Sequence, residues 1–146
     1  MKVSTKGRYG LRALADMAAW TSQAPVPLSV IAKRQNISLN YLEQVFGQLR
    51  KAGILKSIKG PNGGYLLARE AKDIRVKEIL EVLEGPFSIV DPTETEDMDA
   101  LQKAIKSLVW DEIDKQVNEF LESRTLKQLA EEYQGLKQGE DMMFYI

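Results

Sequence analysis

Apolar positions in the first half of the chain recur at the spacing of short amphipathic helices. Residues 4–22 carry apolar side chains at three- and four-residue intervals, which predicts a first helix. Prolines at 25 and 27 interrupt the pattern, and Leu28–Arg34 resumes it as a second, shorter helix. Asn36 suits the turn that follows, because asparagine tolerates the left-handed conformation.

A third helix with one apolar face is predicted after this turn. Ser38 is a suitable N-cap, and the helix is expected from Leu39 to Ala52, with Gly53 ending it. Gly47 costs about 1 kcal/mol relative to alanine in mid-helix. It therefore favours a close approach, either to another helix or to the wall of a DNA groove. The predicted buried stripe consists of Leu39, Leu42, Phe46 and Leu49.

A β-hairpin and a fourth helix are predicted next. Alternating apolar and polar residues mark strands from Ile54 to Ile58 and from Tyr65 to Ala68, joined by a glycine-rich turn. An amphipathic helix then runs from Ile74 to Leu83 and stops at Gly85. Helix, turn, helix and hairpin in this order predict a winged helix-turn-helix domain over residues 1–86.

The second half of the chain predicts a long helix after an acidic linker loop at residues 87–96. The helix is expected over Asp97–Ser123, about 40 Å in length. A small domain covers only part of its apolar stripe, so we expect a homodimer, with packing wholly within the chain as the alternative. A last helix is expected over Leu126–Tyr133, and residues 97–146 form the predicted dimerisation region. The expected dimerisation residues are Leu101, Ile105, Leu108, Ile113, Val117 and Phe120.

The fold class predicted from these patterns is mainly α with a small β-hairpin wing, in which a winged helix-turn-helix is followed by a long dimerisation helix. The chain has 146 residues, of which 44% are hydrophobic and 28% charged, as expected for a globular protein with a core. No apolar run approaches the roughly 18 residues of a membrane helix, and no signal peptide is recognised. We therefore expect a cytoplasmic protein that does not contact membranes.

Cysteine and histidine are both absent from the chain. Their absence excludes disulfides, cysteine-held iron–sulfur clusters, the common zinc sites and histidine-based catalysis. Adjacent carboxylates such as Glu131 and Glu132 point about 100° apart on a helix, so they do not converge on a substrate. The expectation is a protein that is not an enzyme and that has no cofactor and no metal.

Charge divides the chain into two unlike halves. Residues 1–70 hold 11 Lys/Arg and 3 Asp/Glu, giving +8, whereas residues 71–146 hold 9 and 18, giving −9. The basic half also contains the helix-turn-helix pattern, which predicts that it binds double-stranded DNA. Two alternatives are a chance clustering of solvated charges and a winged helix that binds protein.

Four motifs resemble those of the Rrf2 family of bacterial transcriptional regulators: STKGRYG, SLNYLEQVFGQLRKAGIL, KGPNGGYLLA and EILEVLEGP. The resemblance is continuous over about the first 86 residues, and the long helix fits the dimerisation helix of the family. It implies a dimeric winged helix-turn-helix regulator, acting as a repressor, with a roughly palindromic operator.

The resemblance also assigns DNA contacts. Polar side chains of the third helix are expected at base edges or the nearby backbone, with Asn and Gln suited to adenine. Glu43 either accepts from cytosine or holds a neighbouring arginine. Basic side chains near the first helix and at the end of the third are expected at phosphates, and the wing tip in the minor groove. The full set is Lys6, Arg8, Ser38, Asn40, Tyr41, Glu43, Gln44, Arg50, Lys51, Lys59, Gly60 and Pro61.

Iron–sulfur sensors of this family hold a cluster with three cysteines in the loop before the dimerisation helix. In this chain that loop, Ser88–Asp99, has none. The chain is more similar to the cluster-free, CymR-like branch, whose members repress cysteine metabolism through a complex with cysteine synthase. That resemblance implies cysteine synthase as a partner, bound through Phe144, Tyr145 and Ile146. One alternative is a tail that packs on its own dimer. The other is a regulator that answers another stress or small-molecule signal without a cluster.

Overall fold

Seven α-helices and one two-stranded antiparallel sheet make up the part of the chain that the structure, a computed structural model, describes: residues 2–20, 24–91 and 97–143. Short 3₁₀ and π-helical segments lie at Ala71–Asp73 and Lys106–Trp110. No helix in these ranges is both long and apolar enough to cross a bilayer. The elements are α1 Thr5–Trp20, α2 Leu28–Gln35, α3 Leu39–Lys51, β1 Leu55–Ile58, β2 Gly64–Leu67, α4 Val76–Glu84, α5 Ala100–Ile105, α6 Asp111–Ser123 and α7 Leu126–Met143.

The helix-turn-helix forms as its sequence predicts. Asn36 takes the left-handed conformation, with φ 53° and ψ 49°, between α2 and α3. Ile37 is buried beneath the turn. The Ser38 side chain then accepts a hydrogen bond from the backbone N–H of Tyr41 at 3.4 Å and caps α3. Gly53, with φ 82°, follows the end of the helix.

The buried face of α3 differs from the predicted stripe at one position. Leu42, Val45, Phe46 and Leu49 are buried, whereas Leu39 is 40% exposed. At 100° per residue, Leu39 lies about 70° from the centre of the buried face, while Val45 falls within it. The prediction that Leu39 is buried was therefore wrong, and Val45 takes its place in the core.

The wing is anchored to the chain that precedes α2. Leu55 pairs with Leu67 and Ile58 with Gly64 across the hairpin. Val26 and Tyr65 form an isolated bridge beside it, exchanging two backbone hydrogen bonds of 2.9 Å. At Gly64 a Cβ atom would collide with the Val26 backbone, so glycine is required there by close approach.

The hydrophobic core is centred on α1 and includes both halves of the chain. Its members come from α1, α2, α3, β1, α4 and the start of α7, among them Leu14, Met17, Ile31, Ile79 and Leu126. A second isolated bridge joins Arg75 to Thr125 and holds the start of α7 beside the start of α4. The division into domains at residue 86 stays a prediction, and α7 belongs to the same core as the winged helix.

The predicted long helix begins later than expected and is not uniform. Asp97 has φ 57°, outside the range of a right-handed helix, so α5 begins at Ala100 instead. Asp99 and Gln102 cap it reciprocally with two hydrogen bonds of 2.8 Å. The π-helical segment then separates α5 from α6. In the predicted linker before α5, the backbone N–H of Ile89 and the hydroxyl of Ser88 donate to the Asp114 carboxylate. Residues 92–96 of the linker lie outside the described ranges.

The last helix is longer than predicted. Thr125 caps it as expected, accepting from the N–H of Gln128 at 3.1 Å. It then continues past Tyr133 to Met143, so the prediction that residues after 133 form a tail was wrong up to that point. Tyr133 packs edge-to-face on Trp20 at 5.8 Å, and the Gln134 side chain donates to the Ala19 carbonyl at 2.5 Å. These contacts with α1 support α7 just before Gly135 and Gly139, which disfavour a helix.

Candidate nucleic-acid interface

One face of α3 is polar and open to solvent along its whole length. Asn40, Glu43, Gln44 and Gln48 are exposed there, and Ser38 is exposed at the N-cap. Apart from its chain neighbours and the backbone of α3 itself, no atom of the described residues lies within 4 Å of the position that a Cβ would occupy at Gly47. The close approach that this glycine permits is therefore not to any helix in the part of the chain that the structure describes.

The first turns of α1 lie beside the start of α3. Tyr9 and Tyr41 pack edge-to-face, with ring centroids 6.0 Å apart. This contact leaves Tyr41 half-buried. Lys6 is half-buried and Arg8 is exposed, with its guanidinium donating to the Thr5 hydroxyl at 3.2 Å. The basic side chains of α1 and the polar face of α3 thus belong to adjoining surfaces.

The N-terminus of α1, open from the sequence either to a phosphate or to capping, is capped from within the chain. The carboxylate of Glu84 accepts from the backbone N–H groups of Ser4 and Gly7, each at 2.9 Å, and from the Ser4 hydroxyl. A carboxylate is the charge that a helix N-terminus favours. Of these two alternatives the structure has capping, because the end of α4 supplies the anion.

The wing is fixed on the other side of α3. Phe46 and Tyr65 pack edge-to-face with centroids 5.2 Å apart, which joins the middle of α3 to β2. Lys59, Gly60 and Pro61 are exposed at the tip, and Gly60 has φ 108° with open space around it. Lys56, a wing lysine that sequence reasoning did not assign to the interface, is exposed as well.

The cations of this surface are not neutralised by the chain itself. Among the described residues, the predicted phosphate contacts have no carboxylate within 4.0 Å, and Glu43 likewise has no cation within that distance. In this structure Glu43 therefore does not hold an arginine, which was one of its two expected roles. An uncompensated positive surface is suited to a polyanion. The cations are Lys6, Arg8, Arg50, Lys51 and Lys59.

A buried carboxylate that sequence reasoning missed fixes α2 to α1. Asp16 is fully buried, and the Arg34 guanidinium donates to its carboxylate at 2.5–3.2 Å. Gln35 donates to Oδ2 of the same carboxylate at 2.6 Å and accepts from Arg12 at 2.7 Å. The sequence feature that could have revealed it is an acidic residue on the otherwise apolar face of α1. This network joins the end of α2 to α1 just before the turn of the helix-turn-helix.

A second polar network holds the exit of the wing. Arg69 donates to Glu78 at 2.6 Å, and the backbone N–H of Arg75 donates to the other oxygen at 2.9 Å. Burial raises the pKa of Glu78, but the hydrogen bonds and the charges of both arginines outweigh it. Its pKa therefore lies below the ordinary value of 4.5.

The predicted dimerisation residues lie along one helical run and are largely uncovered. Leu101 and Leu108 are 69% and 81% exposed, and Phe120 is 54% exposed beneath the Arg124 guanidinium. Ile105 is also exposed. Ile113 and Val117 are half-buried, and Val117 faces α4 across a small cavity. The predicted partner-binding residues Phe144, Tyr145 and Ile146 lie outside the described ranges.

Known proteins resemble the chain over nearly its whole length. A family model described as Rrf2, iron-dependent transcriptional regulator, matches residues 3–132. The HTH-type transcriptional regulator CymR of Bacillus subtilis is 42% identical over 146 residues, which is all of both proteins. IscR of Vibrio atlanticus is 36% identical over 137 residues, covering 94% of this chain and 79% of that protein.

Solved structures give the same result. The structure of CymR, the global cysteine regulator of B. subtilis, superposes with a TM-score of 0.77 at 41% identity, covering 90% of this chain and 97% of that one. Staphylococcus aureus CymR superposes with a TM-score of 0.68 at 40% identity, covering 88% and 97%. The agreement confirms the predicted fold class.

The residues of this chain do not fit the iron group that the family description implies. A cysteine-held cluster has no ligands here, because the sequence contains neither cysteine nor histidine. Carboxylates do not replace them, since in residues 2–20, 24–91 and 97–143 no three Asp or Glu side chains gather into a metal-binding group.

Proposed function

The chain belongs to the Rrf2 family of transcriptional regulators, and from this premise we propose that it is a dimeric repressor of a roughly palindromic DNA operator. The observation that carries the proposal is the position of α3. Its polar face is exposed between the basic turns of α1 and the basic wing, and aromatic contacts hold it to both. A major groove accepts a helix presented in this way.

The proposed DNA contacts fall into four groups. Asn40, Gln44 and Glu43 meet base edges, where amide side chains suit adenine and a carboxylate suits cytosine. Ser38 and Tyr41 contact bases or the nearby backbone. Lys6, Arg8, Arg50 and Lys51 neutralise phosphates, which contributes affinity without sequence choice. Lys59, with Gly60 and Pro61, enters the minor groove beside the recognition helix.

Two substitutions test these roles on a duplex selected by the wild-type protein from a random-sequence library. Lys59→Ala is expected to weaken binding about equally for every sequence and to lower the salt slope by roughly one. Gln44→Ala is expected to relax the base preference at one position of each half-site, at a cost of about 1–3 kcal/mol for the preferred base. The readout is fluorescence anisotropy at several salt concentrations.

Lys127→Ala, an exposed lysine of α7, is the matched control and should leave both properties unchanged. An unaltered affinity of Lys59→Ala at every salt concentration would show that the wing does not contact DNA.

A second copy of the chain is the proposed occupant of the exposed apolar stripe. Leu101, Leu108 and Phe120 expose more than half of their surface. On the same chain, a groove of about 470 Å³ lies between α1 and α7, with Leu11, Ala15, Leu129 and Tyr133 among its lining residues. A stripe and a groove on one molecule allow two copies to cover each other reciprocally, as a two-fold dimer requires.

Charge supports the same arrangement. Arg12, which has no proposed DNA contact, also lines this groove. The first turn of α6 carries Asp111, Glu112 and Asp114 beside the apolar stripe. Opposite charges at the edges of an apolar contact select the partner and its orientation. The region from residue 97 onward is proposed on these grounds as the dimerisation region, with residues 1–86 as the DNA-binding domain and 87–96 as the linker.

Cysteine metabolism is the proposed regulon, since the similar CymR of B. subtilis is described as a global cysteine regulator. We also propose cysteine synthase as a protein partner, bound through the C-terminal residues. Met142 and Met143, at the end of α7, are 67% and 77% exposed, so α7 presents apolar side chains to solvent just before the tail. With Phe144, Tyr145 and Ile146 they make a run of five apolar residues in the sequence, which suits a protein contact.

Deletion of Tyr145 and Ile146 tests this partner. The deletion is expected to abolish binding to cysteine synthase, measured by calorimetry, while operator binding stays unchanged. Unchanged affinity for the enzyme would remove cysteine synthase from the proposal. The remaining alternative would then be a regulator that responds to another stress or small-molecule signal without an iron–sulfur cluster.

A further inference from the structure

Leu39, the first residue of α3, is exposed where the apolar residues that follow it are not. It is 40% exposed, whereas Leu42, Val45, Phe46 and Leu49 are at most 1% exposed. Nothing in the described parts of the chain removes the remainder of its surface from solvent. Packing in the core therefore accounts for only part of the apolar surface of Leu39.

The neighbours of Leu39 belong to the face that is proposed to meet DNA. Ser38 and Asn40 flank it in sequence, and Glu43 lies one helical turn further on; all three are exposed. Hydrogen-bond donors and acceptors dominate the floor of the major groove. The apolar group it offers is the 5-methyl of thymine.

We infer that Leu39 packs against the methyl group of one thymine in each half-site of the operator. It then selects thymine over cytosine by an apolar contact, beside the polar contacts of Asn40 and Glu43. The inference rests on the proposed DNA binding and adds a specificity-determining residue to it.

A protein partner would fit this position less well. Protein-binding patches present contiguous apolar surface of several hundred Å². Leu39 is instead a single apolar side chain between exposed polar ones, which suits contact with one small apolar group. Val30, on α2, is similarly exposed, at 39%, but does not belong to the recognition helix, so it serves as a matched control.

Replacing thymine by deoxyuridine tests the contact, because this removes the methyl and leaves every hydrogen-bonding group in place. The probe is the duplex that the wild-type full-length protein selects from a random-sequence library, with each thymine replaced in turn. At one thymine of each half-site, we expect the replacement to weaken wild-type binding about fourfold, the value of one buried methyl. At that thymine, Leu39→Ala is expected to bind both duplexes equally, and Leu39→Met to keep the wild-type preference.

Val30→Ala should show the wild-type response to deoxyuridine at every position. Circular dichroism of Leu39→Ala, matched to the wild type, confirms that the variant is folded. If Leu39→Ala retains the wild-type preference for thymine at all positions, Leu39 does not touch a methyl group and the inference is overturned. A library from which the wild-type protein enriches no duplex would overturn the proposed DNA binding itself, and the inference with it.

Discussion

The side chain of Asp16 holds the helix-turn-helix in place. Its buried carboxylate accepts from Arg34 and Gln35, the last two residues of α2, which immediately precede the turn at Asn36. A buried carboxylate needs such partners, because desolvation without them is costly. The placement of α2, and through it of α3, therefore depends on a residue of α1.

Removing this carboxylate should lower stability. Asp16→Ala leaves Gln35 and Arg34 without their acceptor and opens a small cavity, so we expect the free energy of unfolding to fall by about 1–3 kcal/mol. Arg34 is partly exposed and regains water, which keeps the loss below that of a fully buried pair. Urea unfolding measures the change. Glu131→Ala, which removes an exposed ion pair with Lys127, is the control and should stay within about 0.5 kcal/mol.

Glu78 gives stability a dependence on pH. Its pKa is lowered in the folded protein, so its contribution is fully present above the unfolded pKa and is lost as pH falls through the folded pKa. We expect the difference in urea midpoint between the wild type and Glu78→Gln to be constant near neutral pH and to shrink below pH 4.5. Glu70→Gln, which alters the exposed pair with Lys72, should show a smaller difference at every pH. A difference that grew on acidification would contradict the assignment.

At the level of secondary-structure elements, α3 combines a tightly packed face with a face that is open. Gly47 lies where the chain leaves space, whereas Gly10 of α1 is packed against Leu83 and Val45. A side chain at Gly10 would therefore meet the core, whereas one at Gly47 would point into open space.

Alanine at these two glycines should change stability in opposite directions. Gly47→Ala is expected to raise the free energy of unfolding by about 0.5–1 kcal/mol, because alanine is the better helix former and meets no neighbour. Gly10→Ala should lower it, because its Cβ would collide with Leu83. Thermal unfolding separates the two. If Gly47→Ala also weakens operator binding, the groove wall approaches α3 closely. A loss of stability in Gly47→Ala would show that the space is occupied in the protein.

For the whole molecule, the expected homodimer follows from one exposed apolar stripe. The stripe runs along α5, the π-helical segment and α6. A monomer leaves Leu101 and Leu108 in water, which is the kind of surface that association removes. Two recognition helices at a fixed separation would then match a palindromic operator.

A charge placed in the stripe should separate the copies. The wild-type protein is expected to sediment at about 33 kDa, twice the 16.5 kDa of the chain, and Leu108→Glu as a monomer. Because both half-sites must be held together, operator affinity should fall by orders of magnitude with the loss of the dimer. Ile58→Glu, on the exposed apolar residue at the end of β1, should remain dimeric. A Leu108→Glu dimer would place the interface elsewhere.

Local patterns in the sequence were sufficient for the elements whose physics is local. Asn36, Ser38 and Gly53 marked the turn, the cap and the end of α3, because left-handed conformations and capping hydrogen bonds depend on neighbouring residues. The winged helix-turn-helix and the basic half could be predicted in this way, whereas the DNA contacts were assigned by the family resemblance and stay a prediction. The absence of cysteine and histidine is likewise a property of the sequence alone, and it argues against a cysteine-held cluster whatever the fold.

Tertiary structure decided what depends on residues distant in sequence. Glu84 caps α1 although it lies nearly 80 positions away in sequence. Contacts with Trp20 and Ala19 support α7 where it continues beyond Tyr133. Helical periodicity could not show that Leu39 is exposed, because the centre of a buried face depends on which elements pack against it. Sequence thus determined the recognition helix and its chemistry. The packing of α1, α4 and α7 around it determined which of its side chains remain free to meet DNA.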